Sequence, residues 1–302
     1  MRVVFLGTGG TYPSKQRNVS SVVVQMGADA VMFDCGEGTQ RQLQHSTVSF
    51  MRISSIFISH FHADHFLGLA GLVQSMSLNG RKTPLSIHGP DGCERLVESF
   101  LGLGYFKSGF EITAHDMAPE DTFDLDASRV TCAAADHTVP ALAFSLEESE
   151  RPGRFDLEKA RALGIPEGPL YRELQQGRRI EIGGRVIDSA DVLGEPRSGR
   201  KLVYTGDTKP CEAIAELSRG ADVLIHDSTF ADAHATIAHD FGHSTATEAA
   251  ETAKKAGVRR LFLVHISPRY EDVIVLEDEA RRVFERSDVP LELSEHDIPN
   301  HD

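Results

Sequence analysis

The stretch Ser59-His60-Phe61-His62-Ala63-Asp64-His65 decides how this chain is interpreted, because residues 60–65 carry three imidazoles and one carboxylate. It follows an apolar run at 54–59 that predicts a buried strand, and it leads into helical spacing that predicts a helix over 65–77. Imidazole and carboxylate groups are ligands that suit zinc. A polar loop of satisfied histidines is a poor explanation for this density, so the stretch predicts a metal centre.

Other candidate ligands share one topological position, at or just after the end of a predicted strand. The carboxyl ends of strands in α/β proteins face one crevice, where loops present catalytic groups. A lone histidine is usually structural, so only the shared placement makes these residues candidates. They are His137 after strand 129–135, Asp207 after 201–204, His226 at the end of 222–225, and His265 at the end of 260–264.

The rest of the chain alternates short apolar strands with amphipathic helices. Thr245-x-x-Glu248 fits a capping box, and Gly257 fits the end of the helix that this box begins. With 302 residues, 40% of them hydrophobic, the chain suits one large domain. The pattern predicts an α/β protein with two mixed sheets between helices. Further strands are predicted at 2–6, 20–26, 29–34 and 141–146.

One segment, 148–178, interrupts this alternation with many prolines and glycines. Between 151 and 179, seven Lys or Arg residues stand against four Asp or Glu residues, although the whole chain has a net charge of −14. The composition leaves two interpretations open and favours the first. The segment is either a surface loop with a short helix at 156–163 or a basic arm that protrudes.

Composition also sets limits on location and partners. The net charge of −14 argues against nucleic acid as a partner unless a local basic surface or a metal centre attracts phosphate. Four cysteines without a CxxC pair predict reduced thiols and argue against a thiolate metal site. No apolar run is long enough to span a bilayer, and the N-terminus lacks signal-peptide features. We therefore expect a cytoplasmic protein without a membrane partner.

The His-x-His-x-Asp-His motif at 60–65 is the signature of the metallo-β-lactamase superfamily. Further segments, matching from residue 1 to about 270, resemble the ribonuclease Z (tRNase Z) family within it. They are Phe33-Asp34-Cys35-Gly36-Glu37-Gly38-Thr39-Gln40, Pro13-Ser14-Lys15-Gln16-Arg17-Asn18, Gly206-Asp207-Thr208, Gly242-His243-Ser244-Thr245, His265-Ile266-Ser267-x-Arg269-Tyr270, and Gly164-Ile165-Pro166-Glu167-Gly168-Pro169.

The resemblance implies an αββα sandwich of residues 1–302 with a flexible exosite arm inserted at 148–178. It also implies two Zn²⁺ per subunit, although Mn²⁺ or Fe²⁺ could use the same ligands. One ion would be held by His60, His62 and His137, the other by Asp64, His65 and His265, with Asp207 bridging them. Asp34 is the candidate for orienting a ligand histidine from behind.

The family's activity is removal of the 3′ trailer from precursor tRNA by phosphodiester hydrolysis, leaving a 3′-hydroxyl on the tRNA. Asp64 would take a proton from the attacking water, and His243 would be the general acid. The family's usual glutamate after the strand is replaced by Asp227, which is one methylene shorter. The shorter side chain leaves two alternatives open for the contact between Asp227 and His243, a direct hydrogen bond or one through water.

Substrate contacts follow from the same resemblance. The loop with Lys15, Arg17 and Asn18 would meet the 3′ end, together with Arg269. The arm, through Gly164, Pro166, Gly168 and Pro169, would grip the tRNA elbow and serve the site of a second subunit, which implies a homodimer. The alternatives are another hydrolase of this fold, such as a general phosphodiesterase, a thioesterase or a lactamase, and a catalytically inactive RNA-binding member.

Overall fold

The structure is a computed structural model that describes residues 1–301. Its strands are β1 (Arg2–Gly7), β2 (Ser21–Met26), β3 (Asp29–Phe33), β4 (Ile53–Phe57), β5 (Leu85–Gly89), β6 (Ile112–Asp116), β7 (Thr122–Leu125), β8 (Ser128–Ala134), β9 (Leu142–Glu148), β10 (Ile180–Ile182), β11 (Arg185–Ile187), β12 (Lys201–Tyr204), β13 (Val223–Asp227), β14 (Arg260–Val264), β15 (Ser287–Asp288) and β16 (Glu295–Asp297).

Its helices are α1 (Thr39–His45), α2 (Ala63–Phe66), α3 (Leu69–Leu78), α4 (Cys93–Leu101), α5 (Leu157–Ala162), α6 (Pro169–Gln175), α7 (Glu212–Leu217), α8 (Ala235–Asp240), α9 (Ala246–Ala256) and α10 (Ile274–Val283). The predicted capping box is present, since the Thr245 hydroxyl accepts from the Glu248 amide and the Glu248 carboxylate accepts from the Thr245 amide. Gly257 ends α9 with a positive φ of 67°, as predicted.

Two seven-stranded sheets form the centre of the larger of two compact units, which comprises Met1–Leu146 and Lys201–Pro299. The first sheet has the order β16-β1-β2-β3-β4-β5-β6, with β3 to β6 parallel and the remaining pairs antiparallel. The second has the order β15-β14-β13-β12-β9-β8-β7 and is also mixed. The predicted class, two mixed sheets flanked by helices, is confirmed.

Strand alternation explains why both faces of each sheet are buried. Val3 and Phe5 point into the core between the sheets, whereas Val4 and Leu6 of the same strand point into the outer core beneath α1, α3 and α4. Leu261 and Leu263 likewise pack outward with α9 and α10, opposite Phe262. Apolar residues at successive positions are therefore buried on alternate sides, which fixes the strand register.

The helix predicted over 65–77 is wrong in one respect, because the structure divides it into α2 and α3 at Leu67 and Gly68. The Gly68 amide donates to the Cys35 carbonyl at 2.9 Å. A Cβ at Gly68 would lie 2.2 Å from the Gly36 carbonyl oxygen, so the backbones meet too closely for a side chain. This contact holds α2, with two candidate ligands, against the segment that follows β3.

The second compact unit comprises Glu147–Arg200 and the chain end from Asn300. It extends beyond the predicted arm at 148–178 because the β10–β11 hairpin belongs to it. The short helix predicted at 156–163 is present as α5, capped by the Asp156 carboxylate. A small core of its own includes Ala160, Ile165, Leu174, Ile180, Ile187 and Val192.

No helix within residues 1–301 has the length and apolarity that a membrane span requires. All four cysteines carry free thiols, and three of them are buried: Cys35, Cys93 and Cys132.

Candidate metal centre

The candidate ligands gather at the carboxyl ends of central strands, as predicted. The four strands concerned, β4, β8, β12 and β14, each lead within a few residues to a candidate ligand, so the site is built from loops fixed by both sheets. The structure brings all seven predicted ligands together: His60 and His62 after β4, Asp64 and His65 in α2, His137 after β8, Asp207 after β12, and His265 after β14.

The seven residues form two groups that meet at Asp207. The first group is His60, His62, His137 and Asp207, whose candidate ligand atoms lie within 4.8 Å of one another. In it, His137 Nε2 lies 3.2 Å from His62 Nδ1, and His60 Nε2 lies 3.6 Å from Asp207 Oδ2. These spacings suit several ligands around one ion.

The second group is Asp64, His65 and His265, again within 4.8 Å. The His265 Nε2 atom lies 3.3 Å from both Asp64 Oδ2 and Asp207 Oδ2. The other oxygen of Asp207, Oδ1, lies 3.3 Å from His65 Nε2. Asp207 therefore faces both groups through its carboxylate, which is the geometry required of a residue that bridges two ions.

The far nitrogen of each of four imidazoles is engaged by the protein. His65 Nδ1 lies 2.6 Å from Asp34 Oδ2, and His137 Nδ1 lies 2.8 Å from the Gly242 carbonyl oxygen. His60 Nδ1 contacts the Ser59 hydroxyl at 3.0 Å, and His265 Nδ1 contacts the Thr229 hydroxyl at 2.8 Å. When Nδ1 carries the proton in each ring, Nε2 keeps a bare lone pair.

Those bare nitrogens point at carboxylates, which is unfavourable unless a cation lies between them. Within residues 1–301, His60 Nε2, His65 Nε2 and Asp207 Oδ1 are buried without a hydrogen-bond partner. Buried polar atoms without partners are rare and costly. The residues present therefore fit a divalent metal centre, with nitrogen and oxygen donors only.

Asp34 lies behind this centre and accepts four hydrogen bonds. The donors are the Ser59 amide at 2.7 Å, the Ser59 hydroxyl at 2.8 Å, His65 Nδ1 at 2.6 Å and the Tyr204 hydroxyl at 2.6 Å. Its φ of 55° is unusual for a residue with a side chain and marks strain held at the site. Sequence reasoning missed Tyr204, which comes from the second sheet and carries no local signal.

Burial and charge set the protonation of the centre. Burial lowers the pKa of His60 well below its ordinary value, which favours the neutral imidazole that a metal binds. Burial alone would also lower the pKa of His65, but the Asp207 and Asp34 carboxylates raise it well above the ordinary value. Burial opposes ionisation of Asp207, but the imidazoles of His265, His65 and His60 depress its pKa. The carboxylates thus attract positive charge into the centre.

His243 and Asp227 form a direct pair beside the two groups. His243 Nδ1 lies 2.8 Å from Asp227 Oδ2, so of the two alternatives left open by the sequence the contact is the direct one. The end of β13 brings Asp227 close enough to His243 to make the contact expected of the family's longer glutamate. Burial alone would lower the pKa of His243, but Asp227 raises it to about 9. Asp227 also accepts from the Thr229 hydroxyl at 2.6 Å, which links this pair to His265.

His226 does not join the site, although its predicted position matched the others. The strand continues through Asp227, so His226 points to the opposite face of the sheet. There it is buried, and its Nδ1 contacts the Asp227 carbonyl oxygen at 2.7 Å. The predicted strand 222–225 ended two residues before the observed end at Asp227, and His226 was therefore included among the candidate ligands.

A cavity of about 700 Å³ opens onto the centre. Arg269 lines it, as expected, with its guanidinium 4.9 Å from the centre of the Phe230 ring. The residues around it are Thr11, Tyr12, His62, Asp64, His137, Thr138, Asp207, Thr229, Phe230, Ile237, Phe241, His243, His265, Ser267, Pro268 and Arg269. Sequence reasoning missed Tyr12, Ile237 and Phe241.

The predicted contacts from the loop at 13–18 lie outside that lining. Lys15 is exposed and Asn18 is half-buried. The Arg17 guanidinium is turned toward the protein, where it donates to the Thr8 hydroxyl at 2.6 Å, and burial lowers its pKa. Arg17 therefore holds the loop in place. In the second unit, Gly164, Pro166 and Gly168 are exposed between α5 and α6, in a turn that includes the buried Ile165, and Pro169 is exposed as the first residue of α6.

Comparisons with known proteins agree with this site and fold. One family model, described as Beta-lactamase superfamily domain, matches residues 179–266, and another, described as Anti-Pycsar protein Apyc1, matches residues 1–141. The structure is similar to human tRNase Z, short form, with a TM-score of 0.74 and 28% identity, covering 99% of this chain and 100% of that one.

Curated relatives match over almost their whole length. Ribonuclease Z of Methanosarcina acetivorans is 49% identical over 301 residues, which cover 99% of this chain and 98% of that protein. Ribonuclease Z of Geobacillus kaustophilus is 41% identical over 305 residues, with 99% of each chain covered. With the metallo-β-lactamase fold and its histidine and aspartate cluster in place, this chain belongs to the ribonuclease Z family.

Proposed function

We propose that this chain is an endoribonuclease that removes the 3′ trailer of precursor tRNA by hydrolysing one phosphodiester and leaving a 3′-hydroxyl on the tRNA. The observation that carries the proposal is the double cluster around Asp207, with the His243–Asp227 pair at the same cavity. Full-length relatives named Ribonuclease Z support the choice of an RNA phosphodiester over other substrates of this fold.

The centre would hold two Zn²⁺, one with His60, His62 and His137 and one with Asp64, His65 and His265, each contacting Asp207. Bound zinc supplies positive charge for the attacking and leaving oxygens and lowers the pKa of water toward about 7. The absence of thiol donors in the centre equally permits Mn²⁺ or Fe²⁺. Bound cations would also give an acidic protein a local attraction for phosphate.

The chain's own residues provide for proton movement on both sides of the phosphate. Asp64 would accept the proton of the attacking water, and the Thr11 amide fixes its carboxylate by donating to Oδ2 at 2.6 Å. His243 would donate its Nε2 proton to the departing 3′-oxygen. Asp227 holds His243 Nδ1 at 2.8 Å, which orients the ring and stabilises its protonated form.

The tRNA body would be bound by residues that lie away from the candidate metal centre. Lys15 and Asn18 would meet the 3′ end, with Arg17 as the support of their loop. The exposed turn with Gly164, Pro166, Gly168 and Pro169 would contact the tRNA elbow bound at a second subunit. A homodimer and a cytoplasmic location both stay predictions, and light scattering on the purified protein tests the first.

Cleavage of an end-labelled precursor tRNA by the zinc-loaded protein tests the proposal. We expect one cut directly after the discriminator nucleotide, and loss of cutting in His65→Ala and after chelation. Parallel assays with bis-p-nitrophenyl phosphate and a thioester separate the alternatives. Efficient thioester hydrolysis with an uncut precursor would contradict the proposal, as would metal-independent cutting.

A further inference from the structure

Two aromatic side chains stand exposed at the cavity that holds the metal centre. Tyr12 is 60% exposed and Phe241 is 64% exposed, and both line this cavity, together with the partly exposed Ile237. Within residues 1–301, neither aromatic ring makes a ring contact, and the Tyr12 hydroxyl has no hydrogen bond. Single exposed apolar residues are ordinary. A pair at the mouth of a catalytic cavity indicates a ligand with flat apolar faces.

The backbone fixes Tyr12 next to the second ligand group. A Cβ at Gly10 would lie 2.4 Å from His265 Cε1, so this segment passes directly over the imidazole. The Thr11 amide donates to Asp64, and Thr11 has a φ of 70°, a strained value for a residue with a side chain. These contacts fix the backbone that carries Tyr12 at the mouth of the cavity.

Phe241 is fixed on the side of the first ligand group. The next residue, Gly242, accepts from His137 Nδ1 at 2.8 Å through its carbonyl oxygen. The Phe241 amide closes α8 by donating to the Ile237 carbonyl at 3.2 Å. Phe241 is also two residues from His243, the candidate general acid, and both residues line the cavity.

We propose that Phe241 stacks on the base of the last tRNA nucleotide and Tyr12 on the base of the first trailer nucleotide. This inference rests on the proposed function. Hydrolysis breaks the bond from phosphorus to the 3′-oxygen, so the nucleotide beside His243 is the one that keeps that oxygen. The nucleotide that keeps the phosphate then lies toward Asp64 and Tyr12. Aromatic stacking accepts any base, which suits an enzyme that must process many precursors.

The test pairs protein variants with abasic substrates. Zinc-loaded wild type, Tyr12→Ala and Phe241→Ala are assayed on intact precursor tRNA and on precursors lacking the base of either nucleotide. Each alanine variant should raise KM for the intact precursor by about 5- to 150-fold, with kcat little changed. Tyr12→Phe and Phe241→Tyr keep the rings and should stay close to wild type. Tyr105→Ala removes an exposed ring outside the cavity and serves as the control.

The pattern of penalties identifies the partners. Tyr12→Ala should lose no further affinity when the first trailer base is absent, yet keep the full penalty for the missing last tRNA base. Phe241→Ala should show the reverse. The inference would be overturned if the KM penalties of each variant and each missing base multiplied in every combination, or if Tyr12 and Phe241 exchanged their partner bases. In either case, cleavage of the intact precursor by the wild type would still uphold the proposed function. A wild type that cleaves no precursor would remove both.

Discussion

At the scale of single residues, four of the five candidate ligand imidazoles are oriented by an atom on their far side. Asp34, Ser59, the Gly242 carbonyl and Thr229 each engage one Nδ1, so the tautomer and the ring plane are set before any ion arrives. Such partners raise the basicity of the ligand and reduce the reorganisation that binding requires. We therefore expect the strength of metal binding to depend on residues that never touch the metal.

Asp34 gives the sharpest test of this dependence. Asp34→Asn places an amide nitrogen, which cannot accept a hydrogen bond, among four donors, so His65 loses its fixed tautomer. We expect zinc affinity to fall by roughly 10- to 100-fold. Tyr204→Phe removes only one of the four donors and should cost less. Competition with a chromogenic chelator measures both, and equal affinities in wild type and Asp34→Asn would contradict the assignment.

Asp227 should act on the rate and leave the metal in place. Asp227→Asn removes the negative charge beside His243 and the means of raising its pKa. Since general acids contribute about 10²- to 10⁴-fold, we expect kcat on precursor tRNA to fall by roughly 100-fold or more. Asp227→Glu restores the charge and is the matched variant. Unchanged kcat in Asp227→Asn, with metal content equal to wild type, would exclude the role.

At the scale of elements, the break between α2 and α3 matters most, because α2 carries Asp64 and His65. The break exists because Gly68 approaches the backbone at Gly36. Helical spacing continued across this point, so the sequence could not reveal a contact made by a distant segment. The capping box at Thr245 was predictable because its hydrogen bonds join residues three apart.

Gly68→Ala should disturb both stability and the metal centre. Its Cβ would lie 2.2 Å from the Gly36 carbonyl oxygen, and overpacking of this kind typically costs about 1–3 kcal/mol. We expect a lower urea midpoint and weaker zinc binding. Gly71→Ala is the control, since its Cβ would meet only the flexible end of Gln40. A Gly68→Ala protein with the stability and metal affinity of wild type would refute this account of the break.

At the scale of the whole molecule, two sheets bring seven candidate ligands from distant parts of the chain to one edge. The strands that lead into the site and the residues that gather there could be predicted, because strand alternation and the ends of strands are local signals. The direct contact of Asp227, the inward turn of Arg17 and the link from Tyr204 to Asp34 could not. Each depends on how one element packs against another, which no local pattern records.

Metal binding should be coupled to global stability. The carboxylates of Asp64 and Asp207 face bare imidazole nitrogens, an arrangement that a cation stabilises in the folded state only. We expect zinc to raise the midpoint of thermal unfolding by several degrees, since a thousandfold excess over Kd adds about 4 kcal/mol. Calorimetry with zinc and with EDTA measures the difference. Asp207→Ala should show a smaller rise of the midpoint with zinc. Identical midpoints of the wild type with zinc and with EDTA would contradict the coupling.

The most direct test of the central claim is anomalous X-ray scattering from crystals of the zinc-loaded protein, measured on both sides of the zinc absorption edge. We predict two peaks about 3.5–4 Å apart, one beside His60, His62 and His137, the other beside Asp64, His65 and His265, with Asp207 between them. A single peak, or peaks elsewhere on the molecule, would contradict the claim that these side chains form a two-metal centre.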